Sequence, residues 1–160
     1  MKNLFRILLL TTIVSGILFA AEKSNSQKIS PVGTWTTIDD KTHKPKSVVV
    51  IEMDENGKLR GKITKLILRP DEDQDPVCDK CKDSVHKDKK ILGMEILWDF
   101  HKKEANDTTK WVDGKILDPN DGNIYSCNLT VKPDGSALEV RGYIGFSFIG
   151  RSQTWVKTVE

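Results

Sequence analysis

Beyond residue 20 the chain has no long hydrophobic run, few aromatics and no surplus of either charge. Each lack removes a class of function. Aromatic residues make up 7% of the sequence and do not interleave with a basic stripe. Nucleic-acid binding therefore has no footprint. The 25 basic and 23 acidic residues give +2, but Lys2 and Arg6 supply that surplus, so 23 of each remain after residue 20. A balance near zero exerts no net pull on a polyanion. There is no Gly-x-Ser-x-Gly, so no nucleophile elbow is present, although triads can also be assembled in space. No glycine-rich loop opens a helix, which leaves a phosphate loop unsupported. The acidic run Asp71–Asp75 lacks the spacing and the glycine of an EF-hand and reads as a solvated loop. No pattern calls for a cofactor. His43, His86 and His101 are scattered through loops and strand ends.

What is present begins with a three-part N-terminus. Lys2 and Arg6 precede an apolar run from Ile7 to Leu18, and small Ala20 stands where a signal peptidase would cut. That is the pattern of a secretory signal over residues 1–20. The run is shorter than the about 20 residues a membrane span needs, which disfavours the alternative of an uncleaved anchor. Residues 21–30 are polar and read as a flexible leader, and residues 31–160 as one domain. The expected location is the periplasm or the medium, without stable membrane insertion once the signal is removed.

The remaining chain alternates short β-type runs with turns. The runs are Gly33–Ile38, Lys46–Asp54, Lys58–Leu68, Leu92–His101, Thr108–Leu117, Asn123–Lys132, Ala137–Gly145 and Phe148–Lys157. Glu55-Asn56-Gly57 and Pro133-Asp134-Gly135 are hairpin signals. No helical period follows the signal. Sequential hairpins predict neighbouring antiparallel strands. The predicted class is all-β: a single up-and-down antiparallel barrel of about eight strands, with a two-sheet sandwich as competitor. Leu92, Met94, Ile96, Trp98 and Phe100 are expected on one face of the fourth run. The stretch Arg69–Lys90 is long for a loop in a compact domain and is a place to look for function.

The motifs Pro31-Val32-Gly33-Thr34-Trp35, Lys58-Leu59-Arg60-Gly61-Lys62-Ile63, Cys78-Asp79-Lys80-Cys81, Gly114-Lys115-Ile116-Leu117-Asp118-Pro119, Val140-Arg141-Gly142-Tyr143 and Gly150-Arg151-Ser152-Gln153-Thr154-Trp155 occur in that order. Together they resemble the bacterial exported domain-of-unknown-function family 2147. The resemblance spans nearly the whole chain after the leader. It implies a lipocalin-like barrel, and it carries no catalytic residues. Gly33-Thr34-Trp35 also resembles the Gly-x-Trp opening of lipocalins and avidin-like barrels. There a Trp plugs the closed end under an Arg of the last strand, and that likeness places Arg151 over Trp35 as a cation–π pair.

Three cysteines remain: Cys78, Cys81 and Cys127. Export permits disulfides. A local Cys78–Cys81 bridge is favoured, and pairing of either with Cys127 stays open. A redox site would need a helix N-terminus that this pattern does not supply. A zinc site using Cys78, Cys81, His86 and Cys127 has suitable ligand types but lacks a second closely spaced pair.

For a barrel, the expected site is its interior. Met94, Ile96 and Trp98 are candidate ligand contacts, as are Arg151, Gln153 and Trp155, which alternate to one side of the last run with Ile149. Val49, Ile51, Leu92 and Ile144 are further candidate lining residues. The leading expectation is a non-enzymatic protein that binds a small apolar or amphipathic ligand. The competitor is an envelope structural or interaction module with a filled barrel. A cavity favours the first, and a contiguous exposed apolar patch the second.

Overall fold

The computed structural model describes residues 28–159, so the expected signal segment and most of the leader lie outside the described residues. Eight strands follow in order: β1 (Gly33–Ile38), β2 (Pro45–Met53), β3 (Leu59–Leu66), β4 (Glu95–Lys102), β5 (Lys110–Asp118), β6 (Asn123–Val131), β7 (Ala137–Tyr143) and β8 (Gly150–Lys157). The β-branched run of β2 shows why they form. Ser47, Val49 and Ile51 are buried on one side of a pleat whose other side meets solvent, the period-2 pattern of a half-buried strand. At its end the carboxylate of Asp54 accepts the N–H groups of Asn56 and Lys58, each at 2.9 Å. Gly57 supplies the left-handed φ of +74° that reverses the chain.

Each strand pairs antiparallel with the next, and β8 returns to β1 through Trp35↔Lys157 and Thr36↔Val156. The sheet is a closed eight-stranded barrel with no free edge, and a sandwich is excluded. No helix occurs among the described residues.

The two ends of the barrel differ. At one end Trp35, Ile51, Leu59, Phe100, Trp111 and Leu138 are fully buried. The indoles are satisfied by backbone carbonyls: Trp35 Nε1 donates to Pro31 at 2.7 Å and Trp111 Nε1 to Thr108 at 3.0 Å. Thr108 Oγ1 in turn donates to the carbonyl of Ile29 at 2.8 Å, so the segment entering β1 seals this end. Buried Trp needs such a partner for its N–H. The cation over Trp35 is Lys157, whose Nζ stands 4.5 Å from the ring centroid. The expectation that Arg151 lies there is corrected. Arg151 is six residues earlier on β8, near the opposite end, because Lys157 and not Arg151 is the register partner of Trp35.

The fourth strand also departs from expectation. It starts at Glu95, and Leu92 is 51% exposed in the preceding loop. Register shifts flank Gly61 in its pairing with β3, so Gly61↔Leu97 and Leu59↔Phe100 face inward together. These bulges break strict alternation. Asp99, at φ +66°, absorbs one of them. Trp98 is thereby turned to the outer face, beside Lys115 of β5, and stacks on His86 with ring centroids 5.8 Å apart.

Candidate functional site

Up-and-down connectivity gathers four loops at the end opposite the Trp plug: residues 39–44, 67–94, 119–122 and 144–149. Between them opens a cavity of about 910 Å³ that runs into the barrel. Ile63, Ile96, Ile116, Val140 and Trp155 form apolar wall, and Tyr125 and Tyr143 add hydroxyls. The size lies within the range of pockets for small organic ligands. The lower barrel is filled and the upper barrel is not.

Where packed core gives way to cavity, two buried hydroxyls meet. Thr37 Oγ1 and Ser47 Oγ are 2.8 Å apart, and the Ser47 N–H donates to Thr37 Oγ1 at 3.1 Å. Each satisfies the other, so this polar pair is tolerated inside. A second polar chain climbs β8 to the mouth. Trp155 Nε1 donates to Gln153 Oε1 at 3.4 Å, and Gln153 Nε2 donates to Asp40 Oδ2 at 2.5 Å. The Arg151 guanidinium pairs with the same carboxylate oxygen. Asp40 thus ties the β1–β2 loop to β8 and neutralises Arg151 at the rim.

The rim is acidic. Asp39, Asp40, Glu72, Asp73, Asp118 and Asp121 stand there against Lys41, Lys46 and Arg151. Several of these acids are engaged locally. Asp39 is held below the usual carboxylate range, first by the Thr42 N–H and then by the Thr42 hydroxyl. At Asp121, burial pushes upward, but the Tyr125 hydroxyl, donating at 2.6 Å, and the Asn123 N–H leave the net shift downward. Tyr125 is raised, chiefly by that bond to Asp121. Burial raises the Tyr143 phenol.

The long β3–β4 loop is braced internally by its disulfide and fixed to the mouth by contacts with the β5–β6 turn. Cys78 and Cys81 are bonded and buried, while Cys127 is a buried free thiol. The Cys78 N–H donates to Lys89 and the Ile91 N–H to Pro76, at 2.8 and 2.9 Å, folding the loop back on itself. Gly122, at φ +71°, brings the β5–β6 turn so close that a Cβ would lie 2.0 Å from the Lys80 carbonyl oxygen. Lys80 Nζ adds a 2.9 Å bond to the Asn120 carbonyl. The pair therefore serves as a loop clamp, and its oxidised sulfurs are not zinc thiolates.

Of the residues expected to contact a ligand, Ile96, Arg151, Gln153 and Trp155 line the cavity, with Ile149 and Ile144 at its lip. Met94 and Trp98 do not. Met94 borders a separate depression of about 240 Å³ with Val85, His86 and Leu92, and Trp98 is outside the barrel for the bulge reason given above. Val49 and Ile51 belong to the solid core. Sequence reasoning missed Asp40 and Tyr143. The pair Asp39-Asp40 directly after β1 was the available signal for the first.

A family model described as an uncharacterized protein conserved in bacteria (DUF2147) matches residues 33–157, the whole barrel. The chain belongs to that family. The DUF2147 match confirms the resemblance read from the motifs. Among solved structures the fold is shared by protein HP1028 from Helicobacter pylori, which is described as belonging to the lipocalin family. That match has a TM-score of 0.68 at 18% identity and covers 82% of this chain and 85% of the other. At that identity the likeness concerns the lipocalin fold. No curated protein matches.

Proposed function

We propose that this DUF2147 member is an exported binding protein that holds a small apolar or amphipathic molecule in the mouth of its barrel. On this reading a signal at residues 1–20 is removed, 21–30 is a leader and 31–160 is the working domain. The observation that carries it is the unfilled upper half of the barrel, apolar at depth and polar at the rim. An apolar body would lie against Ile63, Ile96, Ile116, Val140 and Trp155, and a polar group would meet Gln153, Arg151 and Asp40. Deep apolar contact supplies affinity, while a few placed polar groups fix orientation. The lipocalin fold, generally used for binding, supports the same reading. The buried disulfide fits an oxidising compartment.

The test is native mass spectrometry of protein purified from its own host, followed by titration of the emptied barrel with the apolar fluorophore N-phenyl-1-naphthylamine. A co-purifying mass lost on denaturation, or saturable fluorescence enhancement weakened by narrowing the cavity at Gly142, is the expected result. A bare polypeptide that also takes up no fluorophore would overturn the reading.

A further inference from the structure

The β7–β8 hairpin tip is the most apolar exposed segment of the mouth. Within six consecutive residues Ile144, Phe146, Phe148 and Ile149 are 72%, 66%, 76% and 58% exposed. The two phenyl rings stack on each other, centroids 5.5 Å apart, instead of folding onto the barrel. The tip is nonetheless held in shape: Arg141 Nε donates to the Ser147 carbonyl at 2.7 Å and Arg141 Nη1 to Ser152 Oγ at 3.1 Å. From Val140 to Val156 the chain carries two charges, Arg141 and Arg151, and no acid. Ile144 and Ile149 belong both to this tip and to the cavity lip.

We propose that this tip docks the barrel mouth on a lipid surface. Its Phe146–Phe148 pair would enter the interface, and Arg141 at its base would lie at the level of anionic head groups. Three features favour lipid as the occupant. The patch is a narrow projection, not a flat face of the size a stable protein interface needs. Aromatics backed by Arg141, whose guanidinium meets only uncharged oxygens, suit the boundary between head groups and acyl chains, and the acids of the rim lie on the other three loops and the end of β5. Apolar surface continues from the tip through Ile144 and Ile149 into the cavity, so a molecule leaving the lipid could enter the barrel without crossing water. The docking stands on the tip alone, and its use for loading rests on the ligand reading of the cavity.

Flotation with vesicles of phosphatidylcholine and phosphatidylglycerol tests it, comparing the protein with its F146S/F148S variant. Both carry the same N-terminus, so their difference reads the tip. The protein should float with the vesicles, and the variant should partition at least about tenfold less, given the apolar area two phenyl rings bury. Failure of the wild-type protein to float, or equal flotation of the variant, overturns the proposal. So does a wild-type dimer in analytical sedimentation that the double substitution dissociates, which would assign the tip to a second copy of the chain. N-phenyl-1-naphthylamine uptake without vesicles separates the two readings. Flotation that depends on the tip without fluorophore uptake keeps the docking and removes the loading. Uptake without flotation keeps the ligand reading of the cavity and removes the docking, and the loading with it.

Discussion

Two glycines on the inner wall of the barrel give opposite forecasts for added bulk. Gly114 of β5 lies under the Phe100 ring, and a Cβ there would stand 2.3–2.5 Å from three ring carbons. The ring is fully buried in the solid end and has no free direction. Gly114→Ala must therefore displace it, an overpacking cost of about 1–3 kcal/mol. For a domain of this size that lowers Tm by roughly 4–12 °C. Gly142 of β7 faces the cavity, where a Cβ would meet only Ile116 Cγ2 and Tyr125 Cβ, both at 3.8 Å. Its strand backbone tolerates a side chain. Gly142→Phe should alter stability by no more than the span of strand preferences, about 1 kcal/mol, while its ring occupies the ligand space. Thermal melts followed by circular dichroism and N-phenyl-1-naphthylamine titration read the two effects separately. The expected pattern is a lower Tm with uptake intact for Gly114→Ala, and a Tm within about 4 °C of the parent with uptake weakened for Gly142→Phe. If Gly142→Phe lowers Tm as far as Gly114→Ala does, the upper barrel is packed and the two-zone description fails.

Replacing both Cys78 and Cys81 by Ala opens a loop of sequence separation 3. Chain entropy assigns that bridge about 2 kcal/mol, so Tm should fall by roughly 8 °C with the far-ultraviolet spectrum of the barrel retained. Loss of that spectrum would show the bridge to be needed for the fold and not just for the mouth. Asp54 is held below its ordinary value of 3.8, first by the Lys58 N–H and despite some burial. On acidification the unfolded chain takes up that proton first, so this contribution is present above the ordinary value and lost as pH falls through the native one. Asp54→Asn should keep the turn and flatten the stability curve below about pH 4, and an unchanged slope would count against the assignment. Burial pushes the Cys127 thiol far above its ordinary 9.0. The sign is opposite: stability is present below pH 9.0 and falls as the unfolded thiol ionises above it. Cys127→Val should remove part of that alkaline loss in urea titrations, and an identical loss in the variant would sink the explanation.

The eight strands and their order were legible because turns and alternation agree along most of the chain. Val49 and Ile51, Leu129 and Val131, and Leu138 and Val140 face inward as their spacing predicts. The fourth strand was not legible from alternation. There Ile96 and Leu97 are consecutive and both buried, and no period of two can accommodate that. The bulge beside them is the physical reason, and adjacent apolar residues followed by Asp99, a residue type that tolerates left-handed backbone, were its signal. One slipped position sufficed to move Trp98 from the interior to the underside of the disulfide loop. The identity of the cation over Trp35 was hidden for a related reason. Arg151 and Lys157 share a face of β8, and only the closing register between β1 and β8 decides which of them reaches the plug.

The distribution of residue size along the strands accounts for the division of labour in the barrel. Strand ends that converge on the plug carry Trp35, Phe100 and Trp111, which fill the interior and bury most apolar area per residue. The opposite ends carry Thr37, Ser47, Ile116, Gly142 and Gln153, whose side chains cannot meet across the same diameter. The Thr37–Ser47 hydroxyl pair marks the boundary, since it is buried and satisfied without help from a ligand. Stability is thereby concentrated in the end that has no opening. Substitutions at Ile116, Val140 or Gln153 can change what the cavity accepts while the plug keeps the barrel closed, whereas changes at Trp35, Phe100 or Gly114 act on folding before they act on binding.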